Sequence, residues 1–235
     1  FVSRRLPRGF LDPWDQWLQG AVAASRGRLQ DRWLDLYLTS PIWRFALAPG
    51  VCGSAGWAGV LMPSVDRVGR YFPMTIALAL PQGVGAASLA AELTWYERAE
   101  RAALSALEGD GADVEQFDNA VAGLGPVSVP LPDGDGIAHT TTGAPACRLQ
   151  AISGDDFPRL IPAIAHVLLE QRFGPYSVWW SEGSEHVEPQ LLLCGALPIA
   201  DRFADMLGGG WEPDAWEVWP RYRMPGARAG TGMPP

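Results

Sequence analysis

The chain has 235 residues, 48% hydrophobic and 19% charged, which is enough apolar material to bury a core and excludes the sparse, highly charged pattern of a disordered protein. Its 18 basic residues are all arginine and face 26 acidic ones, for a net charge of -8. An acidic, lysine-free protein lacks the cationic surplus needed to track a phosphate backbone, so nucleic acid is excluded as a partner.

Asp12-Pro13 reads as an N-cap followed by a proline in the first turn, and Trp14, Trp17, Leu18, Ala21 and Val22 recur at helical spacing, predicting a helix over 13–28. A short helical turn around Trp33, Leu34 and Tyr37 should end before Pro41. Two strands near 43–48 and 56–62, broken by Pro49-Gly50 and Pro63, form an antiparallel pair. Phe72 to Leu80 is almost wholly apolar and predicts a central strand covered on both faces. Residues 86–108 form a helix stopped by the glycines at 109 and 111, and Asp113 caps another. From 125 to 150 the chain is rich in Pro, Gly and Thr without periodicity, and reads as a surface loop. A helix over 155–172 follows, with Pro162 implying a kink or a later start. Strands at 176–181 and 190–194 and a helix over 198–207 complete the order, ahead of a loosely held Gly/Pro/Arg-rich tail from 208 to 235. Strands that do not alternate with helices predict a single α+β domain over 1–207, with a largely antiparallel sheet of about five strands and helices packed on it.

No apolar run reaches the roughly 18 residues of a membrane-spanning helix, and no signal-peptide pattern opens the chain. A cytoplasmic protein without membrane insertion is expected. Cys52, Cys147 and Cys194 are odd in number and far apart, as for reduced thiols. The first residue, Phe1, suggests that the natural start is missing.

The densest cluster of functional side chains is the connection from Pro63 to Pro73, which holds Ser64, Asp66, Arg67, Arg70 and Tyr71 between two predicted strands. Rigid strands flanking a polar connection are a common setting for a binding site. Asp66 is expected to pair with Arg67 or Arg70 and order the connection, and the arginine forks would suit a phosphate or carboxylate. The second cluster is Val178 to Ser184. Adjacent Trp179 and Trp180 on a strand must point to opposite faces, one into the core and the other toward a surface groove. Catalytic and metal motifs are absent: there is no Gly-x-Ser-x-Gly elbow, no phosphate-binding loop ending in lysine, and no histidine at metal-ligand spacing from a cysteine. No catalytic residue, metal or cofactor is therefore assigned. His166 falls within a helix, while His139 and His186 sit in predicted loops, where either could meet Ser64 or Ser184 as a hydrolytic pair.

Phe1-Val2-Ser3-Arg4-Arg5-Leu6-Pro7, Pro13-Trp14-Asp15, Trp43-Arg44-Phe45, Trp57-Ala58-Gly59-Val60, the run from Pro63 through Ser64-Val65-Asp66-Arg67-Val68-Gly69-Arg70-Tyr71-Phe72 to Pro73, and Trp179-Trp180 together resemble the TagF family, also called ImpM, of bacterial type VI secretion. The likeness runs to about residue 207 and is strongest over the first 80. Family members usually carry a strand with Gly-Lys-Leu-Pro and Gly-Asp just ahead of Phe-Val-Ser; that segment is absent here, so the expectation is either a sheet that lacks this strand or a sequence trimmed at its start. The resemblance implies a cytoplasmic, non-enzymatic, post-translational repressor of the secretion machine that acts through a forkhead-associated scaffold protein. Some relatives carry a fused phosphatase domain, for which the Gly/Pro tail is too short. The residues themselves agree with an interaction protein and leave open a hydrolase using Ser64 or Ser184, or an anion sensor built on Asp66, Arg67 and Arg70.

Overall fold

A computed structural model describes residues 3–66, 69–91, 93–108, 114–127, 137–139, 147–149, 157–212 and 216–217. Five strands, β1 (Trp43–Leu47), β2 (Trp57–Met62), β3 (Met74–Ala79), β6 (Tyr176–Ser181) and β7 (Gln190–Gly195), form one antiparallel sheet in the order β3-β2-β1-β6-β7. The expected α+β domain and its five strands are present, with boundaries within two residues of those predicted. β3 is an edge strand and not the central one. Its apolar sequence reflects helices over both faces, whereas its place in the sheet is set by pairing to β2 alone.

Alternation along each strand sends consecutive side chains to opposite faces, and both faces are covered. Trp43, Phe45, Leu47, Trp57, Leu61 and Trp179 face one layer of helices, α1 (Arg8–Leu29), α2 (Trp33–Leu38) and α6 (Phe203–Gly208). Ala46, Ala58, Val60, Val178 and Trp180 face the other layer, α3 (Leu93–Glu108), α4 (Val114–Ala122) and α5 (Phe157–Phe173). The second face is lined by alanines at the centre of the sheet and meets Ala99, Ala102 and Ala103 of α3. Small residues on both sides bring α3 close enough for the Tyr96 hydroxyl to donate to the Phe45 carbonyl at 3.0 Å.

α1 starts at Arg8, one turn before the expected Asp12-Pro13 start, and Pro13 lies inside it. Phe10, in the added turn, is buried against Trp57 with ring centroids 4.3 Å apart, and this burial outweighs the hydrogen bond that Pro13 cannot make. The helix expected over 86–108 divides into a 3-10 turn at Ala86–Ala91 and α3. α5 runs from Phe157 through Pro162. Asp113 lies outside the described residues. The stretch expected as a bare loop contains two short paired strands, β4 (Ile137–His139) and β5 (Cys147–Leu149), in a ribbon of their own. The first part of the tail is also docked: Trp211 and Trp216 pack edge to face at 5.4 Å against the first core, and Trp216 Nε1 donates to Asp205 at 2.8 Å.

Candidate functional site

The β2–β3 connection folds back on itself as a tight hairpin. Val65 and Tyr71 form a β-bridge, Asp66 N–H donates to the Arg70 carbonyl at 2.9 Å, and Phe72 N–H donates to the Ser64 carbonyl at 3.1 Å. Gly69, at φ +79°, supplies the left-handed turn. Asp66 closes it from inside, as expected: one carboxylate oxygen accepts the Arg70 N–H at 2.8 Å and the other the Arg70 Nε–H at 2.6 Å. The two side chains are 37% and 66% exposed, so this ion pair fixes shape while contributing little to stability. Asp66 already occupies the Arg70 Nε, so that arginine's fork is partly filled. Arg67 lies outside the described residues.

The base of the hairpin is held by α2. Tyr37 Oη donates to the Ser64 carbonyl at 2.9 Å and accepts the Ser64 N–H at 3.0 Å, so one phenol grips both backbone groups of one residue. Burial pushes the Tyr37 phenol up to about 12, which keeps it protonated and able to donate. Trp33, one helical turn earlier, stacks on Tyr37 at 4.7 Å, and Tyr71 meets both rings edge-on at 5.9 and 6.0 Å. The Arg26 guanidinium caps Trp33 at 4.2 Å from the ring centre, and Trp33 Nε1 donates to Ser25 Oγ at 2.9 Å. The hairpin is thus bolted to the end of α1 and to α2 by aromatic contacts. Leu34 and Leu38 of α2 and Val65 of the hairpin are exposed large apolar side chains on these same elements.

The other predicted cluster is not a surface feature. Trp179 is 0% exposed among Trp14, Trp17 and Phe45, and Trp180 is 9% exposed against Tyr96. The alternation was read correctly, but helices cover both faces, so neither tryptophan lines a groove. Ser184 Oγ is buried without a hydrogen-bond partner, and the nearby His186 Nε2 lies 3.9 Å from Asp35. Ser64 is tied through its backbone to Tyr37. Among the described residues no serine hydroxyl is hydrogen-bonded to a histidine, so neither Ser64 nor Ser184 is paired with His186 in this way. The side chain of His139 lies outside the described ones. No group of three or more His, Cys, Asp or Glu among the described residues is placed to hold a metal. No helix among them is long and apolar enough to cross a membrane.

Sequence reasoning missed the buttress and one buried ion cluster. Trp33 and Tyr37 at i,i+4 spacing were a usable signal for a stacked pair. Arg44, a lone charge inside the apolar Trp43–Leu47 run, signalled a buried ion pair, but its partners are 56 and 138 residues away. Arg44 donates through Nε and Nη2 to the two oxygens of Glu100, each at 2.7 Å, and through Nη2 to Glu182 at 2.9 Å.

A search of curated proteins finds no match. The crystal structure of PA0076 from Pseudomonas aeruginosa PAO1 is similar over 95% of this chain and 94% of that one, with 38% sequence identity and a TM-score of 0.75. The family model for the TagF N-terminal domain, described as type VI secretion system-associated, matches residues 1–124, a span that contains α1, α2 and the whole hairpin. With more than half of its length matched in this way, the chain belongs to the TagF family of type VI secretion-associated proteins.

Proposed function

We propose that this chain is a cytoplasmic negative regulator of type VI secretion that acts by occupancy. It binds a forkhead-associated scaffold protein of the secretion machine through the 63–73 hairpin and the exposed side of α2, and performs no turnover. The observation that carries this reading is the TagF match over residues 1–124, which takes in the entire buttressed hairpin. The physical support is pre-organisation. A surface fixed by stacked aromatics and a closed turn loses little entropy on docking, and a few anchors can then hold most of the binding energy.

The test is calorimetric titration of the purified chain with the scaffold, beside a secretion assay in cells. Arg70→Ala and Leu38→Ala should each weaken binding by about 1–3 kcal/mol with the melting curve nearly intact, and should release secretion in proportion. Ser64→Ala and Ser184→Ala should leave repression unchanged. Loss of repression in either serine variant, with fold and scaffold affinity preserved, would overturn the binding-only reading in favour of a serine-dependent reaction.

A further inference from the structure

We propose that β7 is a pairing edge for a second copy of this chain, across which two sheets join antiparallel about a twofold axis. β7 ends the sheet and is bonded to β6 alone. Which of its backbone groups stay free follows from the ladder. The Ala196 N–H donates to the Pro175 carbonyl at 2.7 Å and, on the other side of β6, the Ala48 N–H donates to the Tyr176 carbonyl at 2.9 Å. Antiparallel bonding alternates, so Gln190, Leu192 and Cys194 turn their N–H and C=O toward β6, and Leu191, Leu193 and Gly195 turn theirs outward. Among the described residues nothing bonds to that outward row.

Edge strands in natural proteins are usually guarded by a charge, a proline or a bulge. Between Gln190 and Gly195 there is none: the residues are uncharged, and the pairing with β6 runs residue for residue. Leu191 is 57% exposed beside this open row. β3, at the other edge, differs in that none of its large side chains is exposed.

The strand is complementary to itself. Opposed residues of a ladder share a face, and Leu191 and Leu193 lie on one face, opposite Trp180 and Val178 of β6. A twofold axis at Leu192 therefore sets Leu191 against Leu193 of the second copy, and outward N–H groups meet outward carbonyls. Shifting one copy by two residues would set Leu191 against Gly195, which has no side chain to cover it. Charges at the two ends of the strand select the direction. Glu188 is exposed just ahead of β7, and Arg172 is 65% exposed at the close of α5. The next residue, Phe173, lies beside the far end of β7, where a Cβ on Gly195 would stand 3.4 Å from the Phe173 carbonyl oxygen. Antiparallel pairing brings Glu188 of each copy toward Arg172 of the other, whereas parallel pairing would set Glu188 against Glu188. Arg172 is free to exchange partners, since it lies 3.8 Å from a Glu217 that is itself 73% exposed.

The experiment follows the intact chain by sedimentation velocity over a dilution series, with backbone amide exchange read at both ends of the series. A reversible monomer–dimer equilibrium is expected. The Leu191 and Leu193 amides should be protected in the dimer and exchange freely on dilution, while Leu192 and Cys194, bonded to β6, stay protected throughout. Leu191→Pro removes an outward N–H that folding does not use, and should raise the dissociation constant at least about tenfold with the melting curve nearly unchanged. Arg172→Glu should weaken the dimer roughly three- to tenfold, and adding Glu188→Arg should restore it. The pairing is overturned if the chain is monomeric at every concentration, if Leu191 and Leu193 exchange in the dimer as they do in the monomer, or if the double charge reversal stays as weak as Arg172→Glu. Protection that appears only when the forkhead-associated scaffold is added to a monomeric chain would give the edge to a partner's strand, and overturns the second copy as its occupant.

Discussion

Arg44 sits on the alanine-lined face of β1 with 4% of its side chain exposed, and a cation there is tolerable only because it is paired. The hydrogen bond to Glu100 is the largest influence on it and raises its pKa further above the arginine value, so the charge is permanent at any relevant pH. Its two carboxylates are not equivalent. Glu100 engages it through two parallel bonds from α3 and is mostly buried, whereas Glu182, after β6, is 79% exposed and makes one contact. Removing Glu100 would leave a buried guanidinium with a single solvent-facing partner. Glu100→Ala should therefore cost about 3 kcal/mol in urea denaturation, and Glu182→Ala about 0–1 kcal/mol. Equal costs would mean that the exposed carboxylate carries half of the compensation.

At the level of elements, the β1–β2 pair depends on one glycine. Gly59 lies opposite Phe45 in the register, and the Phe45 ring is folded over it. A Cβ at 59 would meet the ring and also the Ile76 carbonyl of β3 far inside contact distance. Gly59→Ala should destabilise by at least about 3 kcal/mol, since both neighbours are held by the sheet. Gly27, on the exposed side of α1 with open space around it, should behave oppositely: Gly27→Ala should stabilise by about 0.5–1 kcal/mol in the same assay. The strands themselves were legible because apolar runs such as Trp57–Met62 end at Pro63 and Gly56, local signals that need no partner. The edge position of β3 was not legible, since strand order is decided by pairing between segments far apart in the chain. The Ser64–Tyr71 cluster could be found by composition and its Asp66–Arg70 closure anticipated. Its anchor could not, because Tyr37 is 27 residues away and belongs to a different element.

On the scale of the whole molecule, two layers of helices bury the three central strands on both faces, and the acidic hydroxyls and thiols inside inherit that dryness. Burial pushes Tyr37 and Tyr176 from 10.0 to about 12, Cys52 and Cys194 from 9.0 to about 12, and Tyr96 higher still. All of these shifts favour the neutral form in the folded state. The stability they represent is intact below about pH 9, where the unfolded chain also keeps its protons, and is lost as pH rises toward about 12. A two-unit shift corresponds to about 2–3 kcal/mol per group, so alkaline unfolding should be steep between those limits. Tyr37→Phe should cost about 1–2 kcal/mol at neutral pH through its lost bonds to Ser64, and should make the alkaline slope shallower. An unchanged slope would show that Tyr37 ionises as freely when folded as when unfolded. The stack that joins α1 to the sheet has an optical consequence. Trp14 and Trp179 lie 6.0 Å apart and within 10° of parallel, so their indole chromophores sit in one fixed chiral arrangement. Near-ultraviolet circular dichroism will report the seating of α1 on β6, and will fade before the far-ultraviolet signal in any state that keeps its helices and strands but lets the two layers slide.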